Sequence, residues 1–349
     1  MKELWKGNLA LVEGAIAGGA DAYFGYPITP QNEVTEYMSL RMRQEKRIFL
    51  QAESELAAIN MVFGASLTGK KALTSSSSPG ISLMQEGISY IAGCELPSVI
   101  INVQRGGPGL GNISGTQGDY YQSVKGGGHG DYRLIVFTPG TVQEIYEMVR
   151  DSFKAAFKYR NPVMILTDGI LGQMIEPADI DTANESYDTE PGDLGWNLNG
   201  AKGRKPRMIR SLLMDDGALE EHNYKLFDKY KKMEELTDWE ETDIKDAKVV
   251  LVGYGTSARI NLDVCRRARK EGLKVGSFRL KTAFPFPSKR IMELSENADF
   301  VVTEMSMGQM VDDVKLNVTD KTRVEFHGKP GGGIPDADRI FKIVEGLVK

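Results

Sequence analysis

Short apolar runs recur along the first half of the chain, and each is followed by a longer stretch whose apolar residues return every three or four positions. The runs are DAYFGY (21–26), KALTS (71–75), SVIINV (98–103), LIVFT (134–138) and PVMILT (162–167). The amphipathic stretches cover 30–43, 54–68, 80–93 and 141–158. A short apolar run between turn residues reads as a buried strand, and three-to-four spacing reads as a helix. Strands alternating with helices predict a parallel sheet covered on both faces, spanning residues 1 to about 175.

The pattern then lapses. Residues 176–245 are polar and acidic and include a helix-like segment, ALEEHNYKLFDKYKKMEELTDWEE. They read as a connector packing across the first domain. Alternation resumes at KVVLVGYG (248–255). It continues through a helix over 257–271, KVGSFRL (274–280), a short helix near 288–296, DFVVTE (299–304), a helix near 308–318 and RVEFHG (323–328). The expected fold class is therefore α/β, with a first domain over 1–178, a connector over 179–245 and a smaller α/β domain over 246–349.

Composition narrows the function classes. The 349 residues are 41% apolar and 26% charged, enough to bury sizeable cores. The net charge of −5, without a basic block, argues against nucleic acid as a partner. No apolar run approaches the ~20 residues needed to span a bilayer. The N-terminal stretch is broken by Glu3, Glu13 and several glycines, and is expected to be a helix entering a strand, not a signal peptide. Cys94 and Cys265 lie far apart and form no CxxC, which fits a cytoplasmic protein and excludes a cysteine-held iron–sulfur cluster built from this chain alone. His129, His222 and His327 show no metal-ligand spacing.

Three motifs are present only in part. Gly64 to Lys70 matches the start of a phosphate-binding loop, but Lys71 stands where a magnesium-binding hydroxyl belongs, and the order is helix then strand. Gly253, Gly255 and Ala258 follow a strand and open a helix, as in a dinucleotide fingerprint, yet the next strand ends without the acid that would hold a ribose. A tight structural turn is the favoured account of them; a NAD(P)-binding oxidoreductase is the alternative. Thr167-Asp168-Gly169 resembles the GDG of a diphosphate-and-magnesium site without its first glycine, and Asn197 and Asn199 do not form the Asn pair that should follow.

Four polar segments fall at predicted strand ends. In GYPITPQNE (25–33), Thr29 at the N-cap with Pro30 at the first helical position predicts a helix start. Capping is a complete structural account of Thr29. The same geometry would also present free N–H groups to an anion. In QAESELAAINMVFGAS (51–66), Ser54 is the expected cap, and Glu55 falls on one helical face with Ile59 and Val62. A carboxylate on an apolar face is costly unless paired. In VQRGGPGLGN (103–112), Arg105 ends a buried strand before a glycine-rich loop, where it would form a bidentate pair with a carboxylate or an ordinary surface ion pair. KALTSSSSPG (71–80) and KGGGHGDY (125–132) add polar loops at the same expected edge.

Taken in order, YPITPQNE, ESELAAINMVFGAS, TSSSSPG and VQRGGPGLG resemble the alpha subunit of the 2-oxoacid:ferredoxin oxidoreductases, with the branched-chain 3-methyl-2-oxobutanoate (2-oxoisovalerate) enzymes most alike and the 2-oxoglutarate enzymes as the alternative. The resemblance implies a pyrimidine-type thiamine diphosphate domain followed by a transketolase C-terminal-like domain. It implies oxidative decarboxylation of a 2-oxoacid with transfer of the acyl group to coenzyme A and of electrons to ferredoxin. Partners would be a beta subunit holding the diphosphate, Mg2+ and an iron–sulfur cluster, a gamma subunit and a ferredoxin-like delta subunit. Glu55 matches the glutamate that hydrogen-bonds the aminopyrimidine ring and favours its imino tautomer. Thr29 and Arg105 match positions that contact the substrate, and Tyr26, Pro27 and Ile28 stand beside the cofactor. Ser78 replaces a glycine common in the family motif. A non-catalytic assembly role within the same complex is the other alternative.

Overall fold

The computed structural model describes residues 2–182 and 191–348. Residues 183–190, part of the expected connector, lie outside the described residues. The five apolar runs form the strands Ala22–Gly25, Ala72–Ser76, Ser98–Gln104, Ile135–Phe137 and Pro162–Asp168. Ser98–Gln104 and Pro162–Asp168 are buried along their whole length, as expected for strands covered on both faces. A short strand absent from the sequence reading, Ile48–Gln51, pairs with Ala22–Gly25 at one edge. At the other edge Thr282–Phe284 pairs antiparallel with Ile135–Phe137. The result is a seven-stranded sheet, parallel but for that last strand, with Ser98–Gln104 at its centre.

Helices cover both faces. On one side Gly7–Ala17, Asn32–Gln44 and Val142–Tyr159 enclose a core around Leu11, Met38, Val149 and Phe153. On the other, Glu55–Leu67 packs on Ser78–Gly93; a Cβ at Gly87 would collide with Ile59, so glycine lets these two helices approach.

The second sheet has five strands in the order Val324–Gly328, Asp299–Glu304, Val249–Gly253, Val275–Leu280 and Trp239–Thr242. Trp239–Thr242 lies within the expected connector, runs antiparallel to Val275–Leu280, and was missed because only four residues carry it. Thr282–Phe284 crosses from the last region into the first sheet, so the connector and the last region each contribute a strand to a sheet built mainly by another part of the chain. The helix Ala218–Lys232 lies on the first sheet's helix layer, where its Leu226 and Tyr230, with Met233 just past its end, pack with Ile135, Ala156 and Tyr159. A C-terminal helix, Ala337–Val348, packs Ile340, Phe341 and Val344 on the second sheet.

Candidate active site

In a parallel sheet the strands deliver their following loops to one common edge, where ligands bind. Here the edge receives Tyr26–Thr29 after Ala22–Gly25, Glu55 after Ile48–Gln51, Ser77 and Ser78 after Ala72–Ser76, and Arg105 after Ser98–Gln104. The predicted residues therefore converge through four neighbouring strands.

Thr29 does not cap the helix. That helix runs Asn32–Gln44 with Gln31 at its N-cap, and the Thr29–Pro30 peptide is cis. The reason lies outside the local sequence. The Pro30 carbonyl, which a helix starting there would use, accepts instead from Asn8 Nδ2 and Gln173 Nε2, both at 2.9 Å. Among the described residues the Thr29 hydroxyl accepts only from exposed Asn32 (3.2 Å), while its carbonyl accepts from Arg105 (2.9 Å). Tyr26 and Pro27 are exposed and Ile28 is half-buried.

Glu55 opens the helix Glu55–Leu67, with the Ser54 hydroxyl accepting from the Ala57 N–H at 3.2 Å. Glu55 is buried with Ile59 and Val62, as the spacing predicted. Its carboxylate accepts from Ser76 Oγ at 3.5 Å and rests over Gly80, where any Cβ would overlap both Ser76 Oγ and Glu55 Oε1. Beneath, Ser75 donates to Gln31 Oε1 (2.7 Å) and meets the Tyr23 hydroxyl (2.8 Å), which also meets Thr35 (2.9 Å).

Arg105 forms neither kind of ion pair expected of it among the described residues. Its guanidinium donates to two carbonyls, Thr29 at 2.9 Å and Leu110 at 3.2 Å. The Arg105 Nε–H is buried with no acceptor, as are Gln31 Nε2 and the Ser77 hydroxyl, all at this edge. Buried polar groups are normally hydrogen-bonded, so these three donors at the sheet edge have capacity left for a polar partner. A cation with no anionic partner among the described residues and a buried carboxylate, both delivered to the same sheet edge, suit a carboxylate-bearing substrate and a ring nitrogen. The residues thus fit an aminopyrimidine and a 2-oxoacid.

The remaining motifs resolve against cofactor binding. Asp168 is buried at the sheet's centre and caps the short helix Gly169–Gln173 through Ile170 and Leu171 N–H, each at 3.1 Å. It also accepts from Thr256 N–H (3.2 Å) and Thr256 Oγ1 (2.8 Å), at the N-terminus of the helix Gly255–Lys270. The anion site of the glycine turn is therefore filled by the chain's own carboxylate, which overturns the NAD(P) alternative. Gln117 strengthens the same junction, donating to the Tyr254 carbonyl (2.8 Å) and accepting from Ser257 (2.6 Å) and Met305 N–H (3.0 Å). Sequence reasoning missed Gln117 because nothing local signals a side chain whose partners lie more than a hundred residues away.

Residues 13–238 match the family model of pyruvate flavodoxin/ferredoxin oxidoreductase, thiamine diphosphate-binding, and residues 247–340 match core domain II of pyruvate:ferredoxin oxidoreductase. The chain belongs to the 2-oxoacid:ferredoxin oxidoreductase family. It is 47% identical to the ketoisovalerate oxidoreductase subunit VorB of Methanothermobacter marburgensis, over 97% of this chain and 96% of that one. It is 35% identical to the 2-oxoglutarate synthase subunit KorA of Archaeoglobus fulgidus, over 99% of both. Among solved structures it superposes with a TM-score of 0.89 on the 2-oxoglutarate:ferredoxin oxidoreductase of Magnetococcus marinus, at 25% identity, covering all of this chain and 65% of that one. As a member of this oxidoreductase family the chain is a subunit of a thiamine diphosphate-dependent enzyme. No helix among the described residues is long and apolar enough to cross a membrane.

Proposed function

We propose that this chain is the alpha subunit of a 3-methyl-2-oxobutanoate (ketoisovalerate):ferredoxin oxidoreductase, contributing the aminopyrimidine half of the cofactor site and the cation that receives the substrate carboxylate. The observation that carries the reading is that one sheet edge receives both buried Glu55 and an Arg105 that has no anionic partner among the described residues. The branched-chain substrate follows the 47% identity to a ketoisovalerate enzyme, against 35% to a 2-oxoglutarate enzyme.

Bound thiamine diphosphate supplies a carbon nucleophile for the 2-oxo carbon and a sink for the electrons released with carbon dioxide. The rest of the work falls to this chain's side chains. Glu55 shares a proton with the aminopyrimidine, held in place by its helix start and by Ser76. Arg105 binds the substrate carboxylate through charge-assisted hydrogen bonds. The Thr29 carbonyl orients that guanidinium, and Tyr26, Pro27 and Ile28 form the wall beside the ring. Because Asp168 is committed to Thr256, this chain's TDG triplet is not free to hold diphosphate and metal. A beta subunit supplies that half together with an iron–sulfur cluster. Gamma and ferredoxin-like delta subunits complete the cytoplasmic complex, with coenzyme A as acyl acceptor and ferredoxin as electron acceptor.

The test is Glu55→Gln in the reconstituted complex. Assembly should persist while 2-oxoacid-dependent viologen reduction falls by about 10²-fold or more, the usual contribution of a positioned proton-transfer group. Full activity would sink the assignment and favour an assembly role. A panel of 2-oxoacids should rank 3-methyl-2-oxobutanoate above 2-oxoglutarate.

A further inference from the structure

The side chain of Asp119 turns away from the helix it begins. Asp119 is the N-cap of Tyr120–Val124, yet it makes no side-chain bond to that helix, where an aspartate ordinarily accepts from its own first turn. Its Oδ2 accepts instead from Asn102 Nδ2 (2.9 Å) and from the Ser78 hydroxyl. Its own N–H donates to Gln104 Oε1 at 3.1 Å. Among the described residues no cation pairs with it, and desolvation raises its pKa above the usual carboxylate value despite the Ser78 and Asn102 hydrogen bonds.

Ser78 continues the connection. Its oxygen lies 3.0 Å from the Arg105 nitrogen and 3.1 Å from the Arg105 carbonyl oxygen. A hydroxyl has one proton to give, and an ionised carboxylate is a stronger acceptor than a carbonyl. Ser78 therefore donates to Asp119 and accepts the Arg105 N–H. Beyond Arg105 the loop is held by its own backbone, the Gly106 N–H donating to the Ser114 carbonyl and the Gly106 carbonyl accepting from the Asn112 N–H, both at 2.9 Å. The peg formed by Asp119 and Ser78 fixes Arg105 itself, at the junction of the strand and that loop.

We infer that Asp119 is a positioning residue for substrate binding: through Ser78 it sets the main chain from which the Arg105 guanidinium reaches the substrate carboxylate. The inference rests on Arg105 being that carboxylate's partner.

Asp119→Asn, Ser78→Ala and Arg105→Lys in the reconstituted complex test it, with initial rates measured against 3-methyl-2-oxobutanoate. Asp119→Asn and Ser78→Ala should each raise KM about ten-fold while kcat stays within about three-fold, the signature of lost binding and not lost chemistry. Combined with Arg105→Lys, Asp119→Asn should add little to the KM, because residues acting through one another are not additive. Strict additivity, or a KM within about two-fold of the parent in folded Asp119→Asn complex, overturns the inference while Arg105→Lys still raises KM. An unchanged KM in Arg105→Lys overturns the reading of Arg105 and the inference with it. If Asp119→Asn does not assemble, Ser78→Ala decides, since it leaves the carboxylate on Asn102 and removes only the connection; an unchanged KM there overturns the inference.

Discussion

Asp168→Ala should cost the chain about 3–5 kcal/mol. The carboxylate receives four hydrogen bonds, two from its own helix start and two from Thr256 in the second region. Losing the cap costs about 1 kcal/mol. Leaving the Thr256 N–H and hydroxyl without an acceptor at a buried junction costs roughly 1–3 kcal/mol each. Relief of a desolvated charge offsets part of that sum. Urea unfolding monitored by circular dichroism gives the total, and amide exchange over residues 254–258 gives the local part, which should lose protection first. A midpoint shift equivalent to less than about 1 kcal/mol would refute the reasoning. Acid supplies a second check. Desolvation raises the pKa of Asp168 above the usual carboxylate value, against the hydrogen bonds from Leu171, Thr256 and Ile170. Between 3.8 and the raised folded value, the folded chain keeps a proton the unfolded chain has released. Its stabilising contribution is then complete below the unfolded value and is lost as pH rises through the folded one. Asp168→Asn should remove that slope from the acid limb of the stability curve.

Gly80→Ala should assemble normally and reduce 2-oxoacid-dependent viologen turnover by about ten-fold or more, since alanine is the better helix former by ~1 kcal/mol yet its Cβ overlaps Glu55 Oε1 and the buried Ser76 hydroxyl. Wild-type turnover would show that Glu55 does not rest where it is described. Thr29→Ala should lower stability by less than ~0.5 kcal/mol, because its hydroxyl meets only exposed Asn32, whereas Ser54→Ala, which removes a true cap, should cost ~1 kcal/mol. Equal losses in thermal unfolding would restore Thr29 as a cap.

Legibility in the sequence followed the reach of each interaction. Strands buried on both faces announce themselves as apolar runs, so the centre of the first sheet was readable, and the helix carrying Glu55 was readable from its cap and its Ile59–Val62 face. The edge strand Ile48–Gln51 was not: its apolar run is only Ile48, Phe49 and Leu50, too short to stand out, and no burial on both faces lengthens it. The helix Ala337–Val348 did carry its signal in Ile340, Phe341 and Val344, and was simply passed over. Thr29 shows a different limit. A capping rule reads four residues, while the Pro30 carbonyl that decides the helix start is taken by partners 22 and 143 positions away.

The two rejected cofactor motifs turn out to be halves of one contact. The turn at Gly255 offers a helix N-terminus that wants an anion, and the physics behind the fingerprint was sound. Asp168 ends a central strand with a carboxylate aimed beyond its own sheet. Each looked like an incomplete ligand site because its ligand is the other, 88 positions along the chain. A Cβ at Gly255 would stand 3.0 Å from Asp168 Oδ2 and 3.1 Å from Gln117 Nε2, so glycine there admits a carboxylate and an amide, not a diphosphate. The contact also reaches the first sheet's centre: Asp168 ends the strand paired with Ser98–Gln104, with Gln104 opposite Asp168, so the latch that joins the two regions braces the strand that leads into Arg105.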